Sequence, residues 1–506
     1  MSIGRTESVA LLGLTGNVVE IEVDIADGLP GFSLLGLPDA ALSESRDRVR
    51  AALINSNETW PNKKVTVSLS PAWLPKSGSG FDLSIALALL IAQQTLPQAP
   101  FIQTTILGEL ALDGKIRAVR GVLPALIAAY KSGIRRAIVP AANRAEAQLM
   151  SAMEVLTFAT LHEVVVWART GTTPQVQELD LEIDDSSTYL DFADVAGQGK
   201  ARQAAEIAAS GGHHLLLIGP PGAGKTMIAS RIPTILPELD LEQALEVTAV
   251  HSISGGLGDR SPMSRLAPII SPHHTASRVA IVGGGSHIIK PGACSLAHHG
   301  VLFIDEAPEC AVGVLDSLRQ PLESGTITIT RSVGNITFPA HFLLVLAANP
   351  CPCGKFIGKG RACTCTSIQV RRYLGKLSGP LMDRIDMRVI VEPVGRVEMA
   401  QTELGESSSV IRQRVIAARA AAAQRFADQP WKLNAQIPAR ELRNTYKPER
   451  AAMNFLHDEL DRERLTARGL HKVIRLSWTL ADLSEHPTPT LADVQRAYAL
   501  REGSEL

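Results

Sequence analysis

The chain has 506 residues, and its 50 Lys+Arg against 51 Asp+Glu leave a net charge of -1, so a polyanion could be held only by a local basic patch. Its 45% hydrophobic and 20% charged residues exclude a disordered chain and supply several buried cores, about three domains at roughly 150 residues each. The start, MSIGRTESVALLG, lacks a secretory layout, and the longest apolar run, Ile85–Ala92, is far short of the ~20 residues of a membrane helix, so a cytoplasmic protein with no membrane partner is expected.

Residues 1–170 alternate β-rich and helical runs. Val18–Ile25, Lys64–Leu69 and Ala137–Pro140 read as strands, and Phe81–Ala92 and Val122–Tyr130 as helices. An acidic, poorly patterned stretch (QELDLEIDDSST) marks 171–190 as a linker. Residues 191–395 carry every nucleotide signature. The remainder, 396–506, is Ala-, Arg- and Glu-rich with helical periodicity in Val410–Phe426 and Leu470–Leu483, broken at Pro487 and Pro489 before a last helix from Leu491.

Within the middle region an apolar strand, Leu215–Ile218, runs into Gly219, Pro220, Pro221, Gly222, Ala223, Gly224, Lys225 and Thr226. Strand, glycine-rich turn and helix start are the order a phosphate-binding loop needs. Lys225 is placed to reach the β- and γ-phosphates of ATP, and the Thr226 hydroxyl to ligate Mg²⁺. A second apolar strand, Val301–Ile304, ends in Asp305, a magnesium carboxylate, and Glu306, the base for the attacking water. A third, Phe342–Ala348, ends at Asn349, which can hydrogen-bond that water or the γ-phosphate. Farther on, Cys351, Cys353, Cys363 and Cys365 form two C-x-C pairs around a nine-residue loop. Four thiolates can close a zinc site; buried or redox-active thiols are the alternative. Lys355, Lys359 and Arg361 in that loop are candidate contacts to nucleic-acid phosphate.

Taken together, these residues resemble the magnesium-chelatase-like AAA+ ATPases of the ComM/YifB family. The marks are DVAGQGKARQAAEIAASGGHHLLLIGPPGAGKT, SPHHTASRVAIVGGG, PGACSLAHHGVLFIDE, LRQPLESG, LAANPCPCG and, near the start, PGFSLLGLPDAALSESRDRVRAAL. The resemblance implies a homohexameric ring with ATP between subunits. It makes Arg384 in LMDRIDM an arginine finger acting on the neighbour's γ-phosphate. It makes Arg468 in ARGLHKVIRLS a second sensor, on the lid of the binding subunit or of its neighbour. It sets Val195, Gly197 and Gln198 near the adenine, and it includes a comparable cysteine cluster. Where the family has a basic-aromatic stretch before PHHT, this chain has LAPIIS.

Two glycine-rich stretches, His251–Gly258 and Gly283–Gly292, read as pore loops. Gly325–Phe338 reads as a hairpin, with strands Ile327–Thr330 and Ile336–Phe338 around a Ser332–Asn335 turn. Lys290 and Arg331 are candidate DNA contacts, with solvated charge as the alternative. LPKSGSGFDLSIALALL and LGELALDGKIRAVRGVLPALIAAYKSGIRRAIVP resemble the Lon protease domain, whose catalytic serine and lysine positions fall on Gly80 and Leu123, so proteolysis is not expected. The expected fold is α/β: a Lon-protease-like (S5-like α+β) first domain, an AAA+ P-loop core and a C-terminal helical lid. The expected function is an ATPase that translocates or unwinds single-stranded or branched DNA. A chelatase-type or protein-remodelling ATPase is the alternative.

Overall fold

A computed structural model of the chain describes residues 3–76, 78–173, 190–255, 263–285, 289–331, 334–356, 362–393, 395 and 405–503. The first sheet is built from β1 (Gly4–Leu12), β2 (Thr15–Ala26), β3 (Gly31–Leu35), β4 (Lys64–Ser70), β5 (Thr104–Ile106), β6 (Arg136–Pro140) and β7 (Glu154–Phe158), in the order β3-β4-β2-β1-β5-β6-β7. β1, β2 and β4 pair antiparallel, and the remaining pairs are parallel. Helix α1 (Asp82–Ala92) is buried along its whole length, which is why its sequence is apolar on every face. Helix α2 (Val122–Lys131) packs on β1 and β2.

The second sheet lies beyond α3 (Gly199–Gly211). It contains β8 (Leu215–Ile218), which leads into α4 (Lys225–Ile235) and then α5 (Leu241–Ser254). It continues with β9 (Ile269–Ile270) and β10 (Val301–Ile304). A two-stranded ribbon, β11 (Thr326–Arg331) and β12 (Gly334–Pro339), precedes β13 (Leu343–Ala348) and β14 (Met387–Ile390). The sheet order is β9-β10-β13-β8-β14, and every pair is parallel. β10 and β13 are buried at every residue, because a parallel sheet is covered on both faces and its strands cannot alternate polar with apolar. That parallel arrangement also builds the site. The strands deliver their carboxyl ends to one edge, so the residues just beyond β8, β10 and β13 must meet there.

The last helices, α6 (Ser408–Arg425), α7 (Arg450–Asp461), α8 (Ala467–Leu483) and α9 (Leu491–Glu502), share a continuous apolar core with α3, α4 and β8. The two parts also meet at a polar seam just before β8, where the fully buried His213 places Nε2 2.7 Å from Thr479 Oγ1. His214 Nδ1 accepts the Leu344 N–H at 3.1 Å. Burial pulls the pKa of both rings down to about 4. The unfolded chain therefore binds protons below pH ~6.5 that the fold refuses until about 4. Stability should fall as pH drops through that window, read as a falling thermal midpoint between pH 6.5 and 4.

The first sheet does not hang free of the second. Glu146 accepts the Leu123 N–H at 2.7 Å at the start of α2, and it also accepts the Ser252 hydroxyl from α5. Ile253 lies against Gly121.

Two sequence expectations need correction. His251–Ser254 is the last turn of α5 rather than loop; the left-handed Gly255 (φ 82°) ends it, and residues 256–258 lie outside the described ones. Gly334 and Asn335 belong to β12 rather than the hairpin turn, because Arg331 pairs with Gly334 and Thr330 with Asn335. LAPIIS contains β9, whose Ile269 and Ile270 pair with Val301 and Leu302. Most of the expected linker, 174–189, lies outside the described residues.

Candidate nucleotide site

Between β8 and α4 the loop turns through left-handed Gly222 (φ 77°) and Gly224 (φ 90°), a region where a side chain would strain the backbone. Lys225 folds back into it: Nζ donates to Gly219 O (2.6 Å), Pro220 O (2.9 Å) and Asn349 Oδ1 (3.1 Å). Burial lowers its pKa against the opposing pull of Asp305 and Glu306. The Thr226 hydroxyl donates to Asp305 Oδ2 at 2.8 Å, and Asp305 Oδ1 accepts the Glu306 N–H at 2.8 Å. Five residues from three strand ends thus form one cluster: an ammonium, a hydroxyl, two carboxylates and an amide.

Glu306 sits in the left-handed region at φ 48°, a strained conformation that the surrounding structure has to hold. Its carboxylate Oε2 lies 3.3 Å from His274 Nδ1. Sequence reasoning gave His274 no role, although PHHT was a visible signal.

Val195 is buried, and Gln198, also left-handed (φ 56°), donates Nε2 to Ala223 O (2.9 Å) and Glu392 O (2.5 Å). It ties the loop to the segment after β14. Gly197 borders a cavity of about 500 Å³ lined by Arg202, Glu206, Arg414, Ser484 and Arg496, none of them singled out from sequence.

Arg384 and Arg468 stand apart from that cluster. Both line a groove of about 1250 Å³ that includes none of the phosphate-loop residues, Asp305, Glu306 or Asn349. Arg384 is held by Glu323 and by the Pro380 carbonyl, and Arg468 NH1 lies 3.5 Å from Asp383 Oδ2.

The four cysteine sulfurs lie within 4.8 Å of one another. Cys351 Sγ is 3.3 Å from Cys353 and 3.6 Å from Cys363, well beyond a disulfide bond of about 2.05 Å. Sulfurs at about 2.3 Å from a tetrahedral zinc stand about 3.8 Å apart, so the donor set fits that ion. The N–H groups of Lys355 and Thr364 pull the Cys353 thiol down to about 5. The knuckle packs on the nucleotide loop, for a Cβ at Gly354 (φ 73°) would come within 2.5 Å of Pro221 Cδ. Lys355 is exposed, while Lys359 and Arg361 lie outside the described residues, as does the side chain of Arg331. Lys290 is exposed at the neck of its loop, where its N–H donates to Gly284 O at 3.1 Å.

Glu246, His298 and His299 gather a second set of potential ligands. His298 Nδ1 accepts the His341 N–H at 3.2 Å, which puts the ring proton on Nε2, 3.1 Å from Glu246 Oε2. A metal would need that Nε2 lone pair, so the set is a hydrogen-bonded cluster. In the first domain, the two positions at which the Lon resemblance sets the dyad are Gly80, just before α1, where a Cβ would meet Val119 at 3.8 Å, and Leu123 on α2, which is fully buried.

Comparison with known proteins matches three stretches of the chain. The family described as magnesium chelatase, subunit ChlI, matches residues 191–399. Models of subunit ChlI of Mg-chelatase and of its C-terminal part match 21–143 and 405–501. An uncharacterized protein of Mycobacterium tuberculosis is 47% identical over 502 residues, 99% of each chain. YifB of Escherichia coli is 40% identical over 99% of this chain and 97% of its own. The competence protein ComM of Haemophilus influenzae is 40% identical over 96% and 94%. Lon protease of Mycolicibacterium smegmatis is 23% identical over 33% of this chain and 22% of its own. With a mixed α/β fold, parallel strand ends bearing the loop and carboxylates, a helical C-terminal part and relatives that match end to end, the chain belongs to the magnesium-chelatase-like AAA+ ATPase family of ComM and YifB.

Proposed function

We propose that this protein is an ATP-hydrolysing ring motor, a homohexamer, that moves single-stranded or branched DNA in recombination or natural transformation. The observation that carries the reading is the split site. Lys225, Thr226, Asp305, Glu306 and Asn349 cluster at strand ends, whereas Arg384 and Arg468 share a separate groove. Such a chain completes a hydrolytic site by setting its groove against a neighbour's phosphate loop, a head-to-tail contact that closes into a ring. On this reading the chain divides at 1–170, 171–190, 191–395 and 396–506.

The roles derive from charge and reach. The loop Gly219–Thr226 wraps the phosphates, with the main-chain N–H groups of Gly222, Gly224, Lys225 and Thr226 facing them, and Lys225 exchanges loop carbonyls for phosphate oxygens. Val195, Gly197 and Gln198 border the adenine. Thr226 and Asp305 would hold Mg²⁺, which offsets the charge on the β- and γ-oxygens. Glu306 orients water and takes its proton, and Asn349 fixes the water or the γ-phosphate. Arg384 and Arg468 from the neighbour stabilise charge developing on the transferred phosphoryl group.

DNA as the track rests on a relative named a competence protein and on exposed cations at Lys290 and Lys355, to which Arg331, Lys359 and Arg361 are added from sequence. The match to magnesium chelatase favours a second reading, a chelatase-type remodeller of a non-DNA client. The test is ATP hydrolysis with no DNA, single-stranded DNA and a four-way junction, with Glu306→Gln as control. A rise with DNA, largest on the junction and lost in the control, supports the motor. A robust rate indifferent to DNA moves the assignment to another client.

The cysteine knuckle would hold a structural zinc through Cys351, Cys353, Cys363 and Cys365. Protein purified under reducing conditions should carry one zinc per chain by elemental analysis, and Cys351→Ser should lose it. Because Gly354 rests on Pro221, that loss should also weaken nucleotide binding, measured by titration of a fluorescent ADP analogue.

A further inference from the structure

Four consecutive residues, Asp383 to Asp386, join the short helix Gly379–Met382 to β14, and Arg384 is the second of them. The C-terminal helices hold every one. Asp383 Oδ2 lies 3.5 Å from Arg468 NH1 on α8. The Arg384 carbonyl accepts from Lys472 Nζ, also on α8, at 3.1 Å. The Ile385 carbonyl accepts from Arg501 on α9. Asp386 Oδ1 lies 2.7 Å from the same Lys472 Nζ.

Asp386 is 1% exposed, and its Oδ2 accepts the His214 N–H at 2.8 Å. The Lys472 ammonium and the neighbouring rings hold its carboxyl well below the usual carboxylate range, although burial opposes them. The lysine therefore faces a full negative charge and a carbonyl dipole, both from the segment that carries Arg384. Arg468 lies four residues before Lys472 on the same helix, hence on the same face. One helix thus carries Arg468 directly and holds the backbone of Arg384 through Lys472.

We propose that Lys472 is a positioning residue for ATP hydrolysis. Through Asp386 and the Arg384 carbonyl it locks the finger segment to the lid, so that a subunit presents Arg384 and Arg468 to its neighbour as one unit. The proposal rests on the ring reading above, and it assigns to Lys472 no contact with nucleotide. A purely structural ion pair would serve the subunit that contains it. A positioning pair serves the next subunit's nucleotide, and that difference can be measured.

Lys472→Met alone strands a buried carboxylate and can fail to fold, so the informative protein is the double variant Lys472→Met with Asp386→Asn, which removes both members of the ion pair together. It should form rings of wild-type size and bind ATP with KM within about twofold, while kcat falls about 30- to 100-fold, a loss confined to the transition state. Mixing it one to one with Lys225→Ala subunits should restore activity. In a random mixed ring about one interface in four joins an intact phosphate loop to an intact finger segment, so the rate should approach about a quarter of wild type. A well-assembled double variant with wild-type kcat, or a low kcat that mixing does not raise, overturns the proposal. A wild-type rate no higher than that of Glu306→Gln overturns the ATPase reading itself and this inference with it, so the two failures are distinguishable.

Discussion

Replacing Glu306 by Gln should lower the rate of ATP hydrolysis by about 10²–10⁴-fold, the range typical of a lost general base, and leave nucleotide affinity close to wild type. Glu306 comes directly after Asp305 at the end of β10, and its backbone is held left-handed at φ 48°. Glutamine keeps the shape and the contact to His274 but cannot accept the proton of water. Asp305 and Thr226 are untouched, so binding survives. A stopped assay with radiolabelled ATP reads the rate and equilibrium dialysis reads the affinity. A variant that hydrolyses ATP at the wild-type rate removes Glu306 from the chemistry.

Arg384→Ala should lower kcat by about 10³-fold or more, the usual effect of losing an arginine finger, with little change in the affinity of isolated subunits for ATP. The side chain lies in a groove that excludes its own phosphate loop, so its loss cannot disturb the site on its own subunit directly. Its guanidinium is held by Glu323, and that carboxylate must yield to a phosphate for the finger to act. Rings mixed with Lys225→Ala subunits should regain part of the rate. If the isolated variant subunit loses ATP affinity instead, the residue serves its own subunit and the split site is wrong.

How much of this was legible in the sequence depended on the range of the interaction. GPPGAGKT, VLFIDE and the strand ending at Asn349 were readable because buried parallel strands leave continuous apolar runs and the chemistry comes immediately after each run. α1 was readable from its long apolar run, and α8 from apolar residues recurring at helical spacing. The hairpin turn was misplaced because Gly334 and Asn335 favour turns, and only the register opposite Arg331 and Thr330 draws them into β12. The pore-loop reading of His251–Ser254 failed because a capped α5 extends until Gly255 supplies the left-handed stop. PHHT stood out in the sequence, but the pairing of His274 with Glu306, like that of Lys472 with Asp386, was not legible. Each joins residues 32 or 86 positions apart, and local pattern carries no trace of such pairings.

The seam between the first sheet and α5 has a bearing on how such a chain can change over generations. Glu146 is buried, its pKa raised by that burial, and it satisfies an N–H of α2 as well as the hydroxyl of Ser252. Exchanging either partner alone leaves a buried polar atom without its bond or forces bulk into a closed joint. Inheritance at this joint should therefore run in pairs, position 146 with position 252 and position 121 with position 253. The first domain is constrained to drift in step with the helix that it braces.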